Sequence, residues 1–274
     1  VSVLAAVTAA GLVPAESAAG EADGQQAYIS GDYSYTVKSD GTAEITGYSG
    51  SGTDITVPGE LDGHAVTGID RQAFRAKNNI VSATLAEGMT DVGAGAFRQC
   101  KKLVCIKLPD SLEKIGAGAF SGCVKLENIE VPDGITVIED STFSSCERMT
   151  EIKLPERLVY IGNSAFDHCY SLESIDIPDS VEKMSARAFY NCAKLSEVGY
   201  PLSWTVTCDY DYNSDTSYSE GSSYYSSPFA GCSALTKIEI PEGVTSIPKY
   251  AFRGVTGLKE VVLPESLTNI SVYA

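Results

Sequence analysis

The apolar positions of this chain recur with a long fixed period. Phe74, Phe97, Phe120, Phe143, Phe166 and Phe189 stand 23 residues apart, Phe229 follows after 40, and Phe252 after another 23. Proline keeps the same phase: Pro109, Pro132, Pro155, Pro178 and Pro201 step by 23, then Pro241 by 40 and Pro264 by 23. Since 40 is 23 plus 17, one unit carries a 17-residue insertion. Two residue types that share both period and interruption are not a product of composition, and they indicate a repeat architecture.

Within a unit the pattern is equally regular. The slots three, six, nine, eleven, fifteen and eighteen residues past Phe97 hold Cys100, Leu103, Ile106, Leu108, Leu112 and Ile115. The same slots past Phe166 hold Cys169, Leu172, Ile175, Ile177, Val181 and Met184. Ile106 and Leu108 alternate with Cys105 and Lys107, the period of a half-buried strand. Pro109 ends that strand, because proline cannot donate to a ladder. The A-F-x-x-C segment predicts a compact turn or short helix. One unit cannot bury seven apolar side chains alone, so the units must stack their apolar faces into continuous columns. The fold class expected is a repeat solenoid, with one parallel strand plus a turn or short helix per coil. About eight coils at roughly 4.8 Å per strand give a rod near 40 Å long.

The two ends read differently. Tyr33-Ser34-Tyr35-Thr36-Val37 and Ala43-Glu44-Ile45-Thr46 flank Asp40-Gly41, which predicts an N-terminal β-hairpin. Residues 1–13 are almost wholly apolar, too few to span a bilayer, and Val13-Pro14-Ala15 or Ser17-Ala18-Ala19 offers a small-x-small cleavage site. Residues 1–19 therefore read as the remainder of a secretory signal, begun inside its apolar region; a short buried helix is the alternative. At the other end Val272-Tyr273-Ala274 supplies the Ala that precedes each Phe, so the sequence stops mid-repeat and another coil is expected to follow.

The unit L-x-x-I-x-L-P-x-x-L-x-x-I-G-x-x-A-F-x-x-C resembles the BspA-like, or Treponema-type, class of leucine-rich repeat, whose period range includes 23 residues. It lacks the asparagine ladder of the general leucine-rich pattern and has proline after the strand. The resemblance covers residues 28–274. Its stretch 57–67, with Asp62-Gly63 at its centre, is similar to the longer first repeat of that class, which closes the open end of the core. The organisation implied is a hairpin and long first repeat over 28–67 and repeats over 68–274, interrupted within 208–228. The resemblance further implies a secreted or cell-surface bacterial protein, often one concerned with adhesion to host or matrix proteins.

Composition narrows the partners. Hydrophobic residues make up 43%, enough for a continuous core. Thirty-six acidic against 20 basic residues leave a net charge of -16, which repels phosphate backbones and anionic lipid, so neither nucleic acid nor direct membrane insertion of the mature chain is expected.

Candidate chemistry is sparse. Of eight cysteines, Cys100, Cys123, Cys146, Cys169, Cys192 and Cys232 share the slot three after Phe, and Lys77 and Val255 fill it in the terminal units. A small residue repeated beside a core Phe reads as packing, and parallel thiols one strand apart approach each other poorly for bonding. They are expected to be reduced. Cys105 and Cys208 lie outside the column, about 19 Å apart by strand spacing, and cannot pair with each other. His168 shares its slot with Gln99, Gly122, Ser145 and Asn191, and His64 follows the Asp62-Gly63 turn. Neither has a nucleophile or metal partner at a meaningful spacing. With no phosphate loop and no serine elbow, no enzyme activity, cofactor or metal is expected. Lys107, Glu130, Lys153 and Asp176 alternate in sign along the slot ten after Phe and are expected to pair across strands.

The insertion is the irregular element. It holds Tyr210, Tyr212, Tyr218, Tyr224 and Tyr225 among Ser, Gly and Asn, the composition that binding loops favour. These five tyrosines are the candidate partner-binding residues, for a protein or glycan on a host or bacterial surface; the alternative is a solvated insertion without a ligand. Asp209, Asp211, Asn213, Asp215 and Glu220 also match the spacing of a calcium loop, but Ser214 stands where its sharp turn takes Gly and flanking helices are missing. Trp204 occupies a slot that elsewhere holds Leu or Val and is expected to pack under the base of the loop. A binding or adhesion module is thus the leading function. A passive spacer and an accessory repeat segment of a larger secreted enzyme are the alternatives.

Overall fold

A computed structural model describes residues 26–208 and 227–274. Over these residues the chain is a parallel β-solenoid of about nine turns with 23-residue spacing. Among the described residues there is no helix.

Each coil bonds to its neighbours along three segments. The first is the strand read from the alternation of Ile106 with its neighbours. Asp54–Val57 pairs in parallel with Ser82–Leu85, which pairs with Cys105–Lys107. Further along, Ser174–Asp176 pairs with Glu197–Gly199, and Lys237–Glu239 with Glu260–Val262. From Ser82 on, opposed residues in these pairs differ by 23, as in Ser174↔Glu197, so equal slots lie side by side and each apolar slot becomes a column; in the longer first repeat Asp54 opposes Ser82.

The second segment is a short parallel strand eighteen residues past Phe, which alternation does not disclose. It is built from pieces such as Asp91–Val92, Lys114–Ile115, Tyr160–Ile161 and Lys183–Ser185. In the two-residue pieces only one residue is buried, so there is no period-two pattern to read.

The third is the A-F-x-x-C turn. The Phe97 N–H donates to the Ala119 carbonyl of the next coil at 2.8 Å, and Gln99 N–H to Ser121 at 2.7 Å. The residues two before and two after Phe are left-handed: Gly95 at φ 63° and Gln99 at 61°, Ser164 at 54° and His168 at 61°, Arg187 at 62° and Asn191 at 58°. Two left-handed residues in one short segment, with amides committed to the neighbouring coil, exclude an α-helix there. The backbone requirement also explains the mixture of Gly, Asn, Gln, Ser and His in these slots, since the small or polar members tolerate this region best.

The N-terminal end converts antiparallel pairing into the parallel stack. β1 (Ala27–Ser30), β2 (Tyr33–Val37) and β3 (Ala43–Tyr48) form an antiparallel meander, and β3 pairs in parallel with the strand His64–Ile69. Asp62 and Gly63, at φ 49° and 86°, make the tight turn that folds Glu60–Leu61 back onto His64–Ile69. The buried ring of Tyr35 ties the meander to this turn through its hydroxyl, which donates to Asp62 Oδ2 at 2.8 Å.

The core is a single column system. The phenylalanine rings stack face to face from Phe74 to Phe229, with centroids 4.8 Å apart for Phe74–Phe97, 5.7 Å for Phe97–Phe120 and 5.3 Å for Phe189–Phe229. Tyr48 extends the column at its start, 5.3 Å from Phe74. The six column thiols are buried and reduced, and each donates to the carbonyl of the Phe one coil back: Cys100 to Phe74 at 3.0 Å, Cys169 to Phe143 at 3.3 Å, and Cys232 across the insertion to Phe189 at 3.1 Å. Burial pushes the Cys100 thiol up to about 11 and the Cys169 thiol to about 12.

Candidate functional site

The five candidate tyrosines, Tyr210, Tyr212, Tyr218, Tyr224 and Tyr225, lie outside the described residues, as do the calcium-spaced Asp209, Asp211, Asn213, Asp215 and Glu220 and the signal-like residues 1–19. The two feet of the insertion are described. One is the second-segment strand Val206–Cys208, which continues that ladder beside Lys183–Ser185. The other is Ser227.

Ser227 is fully buried and anchored on both sides. Its hydroxyl donates to the Ala251 carbonyl at 2.6 Å and accepts from the Phe229 N–H at 3.0 Å. Its own N–H donates to Arg253, and its carbonyl accepts from the Arg187 N–H at 3.3 Å. The solenoid therefore runs through the interruption: Phe189 N–H reaches Pro228, and Asn191 N–H reaches Ala230 at 3.0 Å, as in an uninterrupted pair of coils.

The core beneath the insertion is enlarged. Trp204 is buried, as its slot predicts, and its indole N–H donates to Val206 at 3.0 Å. Tyr200 takes the slot of Leu108 and packs 5.2 Å from Trp204, which meets Phe229 edge-on. Phe252 does not continue the parallel stack but packs 6.4 Å from Tyr200. Burial raises the Tyr200 hydroxyl well above its ordinary value, and that hydroxyl has no hydrogen-bond partner among the described residues.

Beside the returning foot lies a polar and aromatic patch. The Asp167 carboxylate pairs with His168 Nδ1 and, at 3.7 Å, with Arg187 Nη2. His168 Nε2 accepts from the Asn191 amide at 3.2 Å, a role consistent with a proton on Nδ1. The Arg187 guanidinium lies 4.2 Å over the ring of Tyr190. His168 stands edge-on to Tyr170 and Tyr190, at 86° and 67°. Burial raises the Asp167 carboxyl above its usual range, with His168 and Arg187 opposing the rise. Spacing along the chain finds no partner for His168, whereas the fold supplies one from the preceding residue and one from the next coil. The rows of slots contain this signal: equal slots in successive units are neighbours in space, so His168 and Asn191 could have been paired from the period alone.

His64 plays a different part, its Nδ1 lying 2.9 Å from the Gly41 carbonyl in the cap. A groove of about 510 Å³ runs across the second ladder near the cap, walled by Glu44, Asp70 and Asp91 and by Lys38, Arg71 and Lys114. Burial raises the Glu44 carboxyl, with Asp70 and Asp91 adding to the rise and Lys38 opposing it. Of the charges alternating on the strand face, Lys153 and Glu130 meet at 2.8 Å, and Lys237 and Glu260 pair at 3.2 Å in the slot two residues earlier. Among the described residues no three His, Cys, Asp or Glu side chains gather as metal ligands, and no helix is long and apolar enough to cross a membrane.

A family model for the BspA type leucine-rich repeat region matches six copies, over residues 67–196 and 218–274. A pneumococcal vaccine antigen, PcpA, shares the fold at TM-score 0.56 and 21% identity, over 88% of this chain and 71% of that one. The Treponema pallidum leucine-rich repeat protein matches at 24% identity and TM-score 0.44, over 87% of this chain and 83% of that one. A leucine-rich cell surface protein of Faecalibacterium prausnitzii matches at 21% and 0.44, over 92% and 96%. A search of curated proteins gives no match.

Proposed function

The chain belongs to the BspA-type leucine-rich repeat family, and we propose that it is a secreted or cell-surface bacterial module that binds a protein or glycan partner, in adhesion, through the coil that carries the insertion. The observation that carries this reading is the treatment of the insertion by the fold. The backbone ladders pass from Phe189 to Pro228 and from Asn191 to Ala230 as though nothing were inserted. The described ladders are thus complete without residues 209–226, and a tyrosine-rich composition there serves contact better than stability. Tyr200 and Trp204 enlarge the core under the insertion, and Ser227 fixes its returning foot to coils on either side. The signal-like pattern of residues 1–19 supports export, and the acidic surface, at net charge -16, favours partners that are not polyanions.

The test is a variant with all five loop tyrosines changed to serine, compared with the parent against panels of immobilised host proteins and oligosaccharides. The parent should retain a partner that the variant holds at least about tenfold more weakly, a difference of about 1.4 kcal/mol. Retention unchanged by the five substitutions would move the site to the repeat faces.

A further inference from the structure

We propose that Tyr170, His168, Asn191, Arg187 and Tyr190 form a saccharide subsite for uncharged sugars, a proposal that rests on the binding reading above and names its ligand class. Three observations lead to it. The first is shape. The ring planes of Tyr170 and His168 meet at 86° with centroids 5.3 Å apart, and Tyr170 is 42% exposed. Two planar groups at a right angle make a corner, with a floor for the face of a ring and a wall for its edge. The axial C–H groups of a pyranose form such a face, and the electron-rich face of a tyrosine attracts them.

The second is charge. Asp167 pairs with Arg187 at 3.7 Å and with His168 Nδ1, so the guanidinium already has an anionic neighbour, although its Nε has no hydrogen-bond partner among the described residues. A sulfated or sialylated ligand would have to displace Asp167 and would also meet the repulsion of a chain at net charge -16. An uncharged ligand has neither difficulty. The third is the set of polar groups. The Asn191 amide commits one hydrogen to His168 Nε2 and has no other side-chain partner among the described residues. A planar amide held in place by the imidazole suits vicinal hydroxyls, which donate and accept at once.

The patch is also well held. The Arg187 guanidinium stacks on Tyr190, and the Arg187 N–H is bonded to the carbonyl of Ser227, at the foot of the insertion.

The test uses the full chain on an array of uncharged hexose and N-acetylhexosamine oligosaccharides, printed beside sialylated and sulfated ones. Two variants accompany it, Tyr170→Ala and Asn191→Gly. Both should fold, because Tyr170 is exposed and Gly231 and Gly254 occupy the Asn191 slot in later coils, at φ 80° and 79°. The proposal expects retention of an uncharged oligosaccharide by the parent, a loss of about tenfold or more in each variant, and unchanged melting. It is overturned if only charged glycans are retained, if both variants bind like the parent, or if no glycan is retained. A parent that captures a protein but no glycan defeats the subsite and leaves the binding reading standing; a parent that captures neither defeats both.

Discussion

The thiol of Cys146 donates to the carbonyl of Phe120 one coil earlier, at 3.4 Å, in the middle of the stack. That carbonyl already accepts the Cys123 N–H of its own turn, so the thiol occupies its second lone pair. The cysteine column is thereby explained. The slot needs a small apolar group that also offers a weak donor to an otherwise half-satisfied buried oxygen. Valine fits the space, as Val255 shows, but lacks the donor. Cys146→Val should therefore fold and lose about 1 kcal/mol, the worth of a buried hydrogen bond. Thermal or urea unfolding will show it, and a variant more stable than the parent would mean that the thiol acts by packing alone.

The same column makes the protein sensitive to alkali. Cys100, Cys123, Cys146, Cys169 and Cys192 are all raised above their ordinary value of 9.0, in each case chiefly by burial. Below pH 9.0 both folded and unfolded thiols hold their protons, and stability is unaffected. Above it the unfolded chain releases protons that the folded one keeps, so stability falls as pH rises. With five thiols the slope approaches about 7 kcal/mol per pH unit, enough to unfold a domain of ordinary stability by about pH 11. Circular dichroism across an alkaline titration should show one cooperative loss in that window, shifted upward in variants with fewer column cysteines. A native signal persisting to pH 12 would contradict the burial of the thiols.

The phenylalanine column and the left-handed slot beside it should respond very differently to substitution. Phe143 is fully buried and stacks on Phe120 and Phe166, so Phe143→Ala should cost roughly 3–5 kcal/mol. His168→Gly loses the contacts to Asp167 and Asn191 but relieves a left-handed backbone, and its net cost should stay within about 1 kcal/mol. Comparable falls in melting temperature for the two would show that the slots are misassigned.

The period of Phe and Pro disclosed the coil length, the column slots and the position of the insertion, because a solenoid places equal slots side by side. The parallel pairing Ser174↔Glu197 is that statement in three dimensions. Other features were not legible for identifiable reasons. The second ladder leaves one inward residue per strand, as in Lys114–Ile115, which is too short for a periodic signal. The left-handed residues at Gln72 and His168 follow from backbone geometry that many residue types tolerate. The patch around Asp167 needed the lateral direction: its members come from two coils, and Asp167, His168 and Arg187 look unrelated until the coils are laid in register. The Trp204 slot did disclose its burial, but Tyr200 beside it and the turning of Phe252 away from the stack depend on how two large rings share the space of two leucines.

The central claim is that the stack is complete without the insertion and that the insertion carries the partner contact. Replacing residues 209–226 with a single residue, which restores the 23-residue spacing and keeps Cys208, Ser227 and Pro228, tests both halves in one protein. Its affinity for the partner retained by the parent should be measured together with its melting temperature. The account predicts melting within a few degrees of the parent, since the Phe189–Phe229 stack and its ladders remain, and binding weaker by about tenfold or more. Parental affinity in the shortened chain would contradict it.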